Sequence, residues 1–542
     1  MEGTIRCPAN YVPLTPISFL KRAALVYGDR TSIIDGPAKF TWSETYERCL
    51  RLATALTQMG VSKGNIVAVI APNIHATYEM HFGVPMAQAV LCIINHYYDA
   101  QTLSDVITNV APKFLFVDHQ FLQLTQQALQ TVTNPPTLVH ISDPDSAKSE
   151  SEHEHARADY ESLLRAADSY AEFEVKYPED ECEAISLTFT SGTTATPKPI
   201  VYSHRGAYLN ALASILVNEM VPRPTYLWTV PMFHCNGWTF CWAMPAVGGT
   251  NICQRSFSAK SVFDDITRHG ITHLGGPPSL LNMLARASEE DRKPLPHRVE
   301  MMTGGGPPPP QVVLELESLG FRVQHCYGCS ETYGVATLNY WRPEEWDALP
   351  PYERACLKAR HGLKHPLMEE VDVKDPMTMR SVPADGVTIG EVMMRGNNVL
   401  LGYYKDRVKS EMAFEGGWFR HGDLAVKHPD GYIEMKDRKV DAIESGGEYL
   451  STVDIEKVLY SHPDVFEAAV VGVKDEELGQ VPCAVVKLKE GKVGDAEGIV
   501  GYCKERLPEK MVPRKLVFGE IPRVGSGKLQ KKGFRDMVFS ED

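Results

Sequence analysis

Nothing in this sequence approaches the run of about 18 apolar residues that a membrane-crossing helix requires, so insertion into a bilayer is not expected. Positive charge is in short supply: 55 Lys and Arg stand against 69 Asp and Glu, a formal net charge of −14. That balance disfavours nonspecific attraction to nucleic acid or anionic lipid, and leaves a local basic pocket as the route to a small polyphosphate. The opening MEGTIRCPANYVPLTPISFL lacks the basic segment and continuous apolar stretch of a secretory signal, and the closing VFSED is not a Ser-Lys-Leu peroxisomal address. A cytoplasmic protein is therefore expected. A disulfide framework is missing too, since the 12 cysteines are scattered from Cys7 to Cys503 and read as reduced thiols. Cys326 and Cys329 have Cys-x-x-Cys spacing, but no second close pair completes the four ligands of a structural zinc site, so both read as incidental thiols. Internal repeats are absent.

What is present is length and alternation. At 542 residues with 43% hydrophobic content, the chain predicts at least two domains with a large buried interior. Between residues 40 and 115, helix-like segments at Ser43 to Met59 and Tyr78 to Ala89 alternate with apolar runs at Ile66 to Ile70 and Val90 to Ile94, a parallel α/β pattern. From Ser142 to Asp168 the chain turns rich in Ser, Glu, His and Asp. It reads as a solvated loop leading into a helix, with His140, His153 and His155 as solvated residues rather than metal ligands. Alternation then resumes with strand-like runs at Ala184 to Phe189, Tyr226 to Val230 and Val323 to Cys326, each followed by a Gly- or Pro-rich turn of the kind that holds ligands at the carboxyl ends of strands. The stretch GEVMMRGNNVLLGYY and the later WFRHGDLAVKHPDGYIEMKDR suit an antiparallel β-rich piece. Beyond Arg438 a helix, two strands and a second helix predict a small α+β domain. The expected fold is thus α/β: a large N-terminal domain over 1–437 with parallel-type sheets and a β-rich subdomain, and a small α+β domain over 438–542.

Four segments carry chemistry. Thr190-Ser191-Gly192-Thr193-Thr194-Ala195-Thr196-Pro197-Lys198 packs hydroxyls, a small residue and a lysine directly after an apolar strand, a composition that can wrap phosphates with amides, hydroxyls and one positive charge. The Walker order G-x-x-x-x-G-K-[ST] is absent, and taken alone the segment reads equally as a polar turn. Gly304, Gly305 and Gly306 let a flat ring lie against backbone. Tyr327, Gly328, Ser330 and Glu331 offer an aromatic face, a glycine, a hydroxyl and a carboxylate able to hold Mg²⁺ through oxygen. Gly525-Ser526-Gly527-Lys528 presents an ammonium on a glycine-bounded loop, suited to neutralising charge at phosphorus.

In this order the segments resemble the acyl-adenylate-forming (AMP-binding) superfamily, which includes acyl-CoA synthetases, 4-coumarate-CoA ligases, firefly luciferase and peptide-synthetase adenylation domains. NYVPLTPISFL and VYSHRGAYLN resemble its plant acyl-activating branch. The resemblance implies an AMP-forming carboxylate-CoA ligase acting on a short, branched, medium-chain or aromatic acid, with ATP, Mg²⁺ and coenzyme A. Thr190, Ser191, Gly192, Thr193, Thr194 and Lys198 would hold the β and γ phosphates. Glu331 would hold magnesium, and Gly304 to Gly306, Tyr327, Gly328 and Ser330 the adenine. Asp423 would fix the ribose with Arg438, and Lys528 would bridge carboxylate and α-phosphate. His234 would gate a thioester tunnel lined by Gly446, Gly447 and Glu448 after the C-terminal domain rotates about a hinge beyond Arg438. Cys235, Trp238 and Gly304 to Gly306 are candidates for the acyl-pocket wall. The partners implied are small molecules, with the chain a monomer or homodimer.

Some positions depart from the family pattern. Ala195 and Pro199 stand where glycines are usual, Gly306 where alanine is common, His421 where threonine is usual, and Val440 at a hinge position that usually holds Asp or Lys. Two other readings therefore stay open: a catalytically impaired relative that binds nucleotide or acyl-CoA, and an adenylating enzyme whose acceptor is not coenzyme A.

Overall fold

Continuous apolar runs become the innermost strands. Ile66–Ile70, Val90–Ile93 and Phe114–Asp118 are buried along their whole length and pair in parallel, because helices cover both faces of their sheet. The computed structural model describes residues 2–142, 159–190, 197–220, 223–446, 448–521 and 531.

Among the described residues the strands form four sheets. A seven-stranded sheet runs from Gly402–Tyr403 through Pro199–Ser203, Ala184–Phe189 and the three strands above to Thr137–Ile141. A nine-stranded sheet carries the parallel neighbours Val299–Thr303 and Phe321–Tyr327 toward one end. A fully antiparallel four-stranded sheet contains Phe419–Lys427 and Ile433–Arg438. The fourth sheet belongs to the small C-terminal domain, where helices Thr452–Tyr460 and Ala496–Lys504 bury Ile455, Leu459, Ile499 and Cys503 against Val470 and Ala484. No helix among the described residues is long and apolar enough to cross a membrane.

The helix expected over Ser43 to Met59 spans Trp42–Gln58, and a reciprocal cap fixes its start: the Thr41 amide donates to Glu44 at 2.7 Å, and the Glu44 amide donates to the Thr41 hydroxyl at 3.2 Å. Three expectations change. The strand expected over Tyr226 to Val230 is Thr225–Leu227, because Trp228 already turns away to place its indole on Asn251 at 3.0 Å. Gly402–Tyr403 leaves the antiparallel sheet and pairs with Pro199–Ser203, tying that stretch to the strand after the phosphate-type loop. His140 is not solvated: it is buried on strand Thr137–Ile141. His153 and His155 lie outside the described residues.

Candidate active site

A cavity of about 1410 Å³ opens where the carboxyl ends of Val299–Thr303 and Phe321–Tyr327 meet the antiparallel sheet and the small domain, and Gly304, Tyr327, Asp423, Arg438, Val453 and Phe466 all line it. Asp423 and Arg438 face each other as cross-strand partners, so strand register alone brings the carboxylate and the guanidinium together, Nε to Oδ1 3.7 Å. Residue alternation puts His421 on the same side as Asp423, with its Nδ1 2.9 Å from Asp423 Oδ2. That approach is close but not along the ring N–H direction, which makes it an ion pair rather than an aligned hydrogen bond. The Tyr327 hydroxyl donates to the same oxygen at 2.7 Å. Burial alone would raise the Asp423 pKa, yet His421, Arg438 and the Tyr327 hydroxyl hold it well below the usual carboxylate range. Burial likewise opposes charge on His421, and Asp423 and Glu331 overcome it, so its pKa is raised.

Glu331 sits in the short turn Ser330–Thr332, which two tyrosines anchor from below. The Tyr202 hydroxyl donates to the Ser330 carbonyl, and Tyr202 stacks on Tyr333 with ring centroids 3.8 Å apart. The Glu331 carboxylate is buried. Its Oε1 accepts from the Tyr403 hydroxyl at 2.9 Å, and its Oε2 lies 3.7 Å from His421 Nε2. Lys409 places its ammonium 3.8 Å from the centre of the Tyr403 ring. Burial and the neighbouring Lys198 amine push the Lys409 pKa down to about 8, against the pull of Glu331. Lys198 and Lys409 thus converge on a half-buried spot, a concentration of positive charge suited to an anion. The donor atoms of Cys329, Glu331 and His421 all lie within 4.8 Å of one another. Cys326, the other member of the Cys-x-x-Cys pair, turns instead toward Gly304, where its Sγ would stand 2.8 Å from an added Cβ.

The glycines differ in purpose. At Gly328 an added Cβ would stand 1.6 Å from the Gly334 carbonyl oxygen, so no other residue fits. Gly306 meets nothing nearer than Pro278 Cγ at 3.9 Å.

A further cavity wall, Cys235 to Thr239, is a left-handed turn: five consecutive residues have φ of 49°, 45°, 58°, 52° and 64°. Gly237 takes this without steric cost and Asn236 with little, while the other three lose roughly 1–2 kcal/mol each. Asn236 accepts from the Ser186 hydroxyl at 3.1 Å, and the Thr239 and Ser214 hydroxyls lie 3.0 Å apart, which holds the turn and sets His234, Cys235 and Trp238 on the cavity.

Thr190 also lines the cavity. Its amide donates to the Lys198 carbonyl at 3.1 Å, closing an antiparallel hairpin around 190–198. Ser191, Gly192, Thr193, Thr194, Gly447 and Lys528 lie outside the described residues. Gly446 is exposed with φ of +58°, and Glu448 starts strand Glu448–Leu450. Sequence reasoning passes over Tyr403 and Lys409, and reads Cys329 as an incidental thiol. GYYKDRVK read only as strand and loop, and its one available signal was a tyrosine six positions before a lysine.

The family description AMP-binding enzyme matches residues 20–404, and AMP-binding enzyme C-terminal domain matches residues 454–528. The chain belongs to the AMP-binding enzyme family. It is 47% identical to a probable acyl-activating enzyme of Arabidopsis thaliana, over 99% of this chain and 98% of the relative. It is 46% identical to an acetate–CoA ligase of Humulus lupulus over 97% and 95%, and 42% identical to a peroxisomal benzoate–CoA ligase of Arabidopsis thaliana over 99% and 95%. With that membership and such full-length relatives, it is an enzyme of the AMP-forming acid–thiol ligase class. The solved structure of an anthranilate CoA ligase in complex with anthranoyl-AMP shares the fold, with a TM-score of 0.84 at 20% identity over 99% of this chain and all of the other.

Proposed function

We propose that the enzyme activates a carboxylic acid in two steps, forming an acyl-adenylate from ATP and then an acyl-CoA thioester, and that the acid is short, branched, medium-chain or aromatic. The observation that carries this reading is the joining of Tyr327, Asp423 and Arg438 beside buried Glu331 on one cavity. An ionised, buried Asp423 is suited to accept two ribose hydroxyl protons, with Arg438 balancing its charge. Adenine lies between Tyr327 and the Gly304 to Gly306 backbone. Lys198, Thr190 and the hydroxyls of Ser191, Thr193 and Thr194 take the terminal phosphates, and Lys409 stands with them.

Glu331 fits a magnesium ion, since it lines the cavity with one carboxylate oxygen anchored by Tyr403 and the other, a hard oxygen donor, 3.7 Å from His421. A magnesium ion held there would supply charge neutralisation on the phosphates. The residues of the chain do the rest by alignment, because a carboxylate attacking a phosphate is anion meeting anion. Lys528 brings the carboxylate to the α-phosphorus. Rotation of the C-terminal domain beyond Arg438 then withdraws it and presents Gly446, Gly447 and Glu448 along the thiol path past His234. Relatives named for acetate, 2-methylpropanoate, cinnamate and benzoate support the substrate range.

The test is AMP release dependent on coenzyme A across acetate to decanoate, branched acids, benzoate and cinnamates, run beside ATP–pyrophosphate exchange. Exchange and thioester formation with at least one acid are expected. Nucleotide binding with no exchange for any acid would overturn the proposal in favour of a binder, and exchange without thioester would point to another acceptor.

A further inference from the structure

We propose that Cys329, Glu331 and His421 form a binding site for a thiophilic divalent cation of the zinc class. The three side chains arrive from two separate parts of the fold, the turn after Phe321–Tyr327 and the antiparallel strand Phe419–Lys427, and their donor atoms lie within 4.8 Å of one another. One sulfur, one nitrogen and one carboxylate oxygen is a donor set that suits zinc, whereas magnesium takes oxygen almost exclusively. Tetrahedral zinc holds such atoms about 3.3–3.8 Å apart, so the side chains close by roughly 1 Å on binding.

Each ligand is also positioned as a ligand. His421 Nδ1 stands 2.9 Å from Asp423 as an ion pair while its Nε2 faces Glu331 at 3.7 Å, so a carboxylate backs the imidazole on the side away from the proposed metal. The Tyr403 hydroxyl anchors the opposite oxygen of Glu331 at 2.9 Å. Cys329 Sγ lies 3.8 Å from the Thr332 hydroxyl, at the mouth of the same turn. Binding displaces the Cys329 thiol proton to solvent, and the thiolate and carboxylate then cancel the charge of the dication, which matters where Glu331 is buried and Cys329 and His421 are half-buried. Three protein ligands leave one position open to the cavity. The Cys-x-x-Cys pair is thus divided, with Cys329 serving a metal and Cys326 packing.

Glu331 is the residue assigned above to magnesium, so zinc should compete with magnesium–ATP. That consequence rests on the proposed function, and zinc binding itself does not. The experiment uses the full chain, stripped of metal, with zinc uptake followed by equilibrium dialysis and elemental analysis, and with cobalt(II) as a spectroscopic substitute. One zinc per chain is expected, with a sulfur-to-cobalt charge-transfer band. C329S should abolish the band and weaken zinc at least tenfold, H421N should weaken zinc at least tenfold, and C326S should change neither. In the unsubstituted protein, zinc should protect Cys329 selectively from alkylation, read by peptide mass spectrometry, which needs no variant to fold. No retained zinc below millimolar concentration, no protection of Cys329, or affinity unchanged in both C329S and H421N would overturn the proposal. Zinc bound as expected but without effect on magnesium–ATP binding would uphold the metal site and remove Glu331 from the magnesium role.

Discussion

Tyr327 donates its phenolic hydrogen to Asp423 across 2.7 Å, joining two sheets through residues 96 positions apart in the chain. A hydrogen bond to a buried charge contributes about 1.5–3 kcal/mol. Tyr327→Phe is therefore expected to raise KM for ATP about tenfold or more with a smaller change in kcat, measured by pyrophosphate exchange. Asp423→Ala should do worse, because it leaves His421 and Arg438 facing each other without their anion. Equal losses in the two variants would show that the hydroxyl, not the carboxylate, carries the site.

If Lys409 serves the terminal phosphates as proposed, ATP binding should depend on pH with a definite sign. Its ammonium, pushed to about 8 by burial and Lys198, is charged at pH 7 and largely neutral at pH 9. Glu331 and Asp406 face it as the nearby acids. KM for ATP should rise as pH climbs through about 8. Lys409→Met should show the high KM, about tenfold up, already at pH 7 and lose the slope. A slope that persists in Lys409→Met would assign the titration to another group.

Gly306 has room beside it, since its nearest neighbour to an added Cβ is 3.9 Å away, and unlike the adjacent Gly305, with φ of +87°, its backbone is open to other residues. Gly306→Ala should leave the melting temperature unchanged and shift kcat/KM toward smaller acids by about 1–3 kcal/mol between acids differing by one methylene at that wall. Gly328→Ala is the contrast: with a carbonyl oxygen 1.6 Å from the new Cβ, it should fail to give folded protein.

Lys528→Ala should abolish adenylate formation and spare thioesterification of a supplied acyl-adenylate. Stopped assays of each half-reaction would read the split, and loss of both would deny the division of labour between the two loops.

Much of the scaffold was legible because one physical pattern dominates each piece. Ile66–Ile70 and Ala184–Phe189 are apolar enough to be buried strands in any context, and Trp42–Gln58 carries its own cap. Glu331, Asp423 and Arg438 are assigned through the order of their motifs, and cross-strand register explains why two of them meet. What the sequence hid is convergence. Lys409 reaches the site only because Tyr403 docks on Glu331, and Cys329 meets His421 only because two sheets abut. The left-handed turn was hidden for a different reason: of its five residues only Gly237 signals positive φ, and tertiary contacts impose the rest.

That turn sets backbone strain against side-chain packing in one short stretch. Cys235, Trp238 and Thr239 occupy backbone conformations in which glycine would be more comfortable. Glycine at any of them would relieve roughly 1–2 kcal/mol of backbone strain, but each side chain is buried and emptying the space it fills costs more, about 3–5 kcal/mol for Trp238. The packing that holds the strain is also the packing that aims His234, so a selection for heat resistance alone would leave this wall as it is.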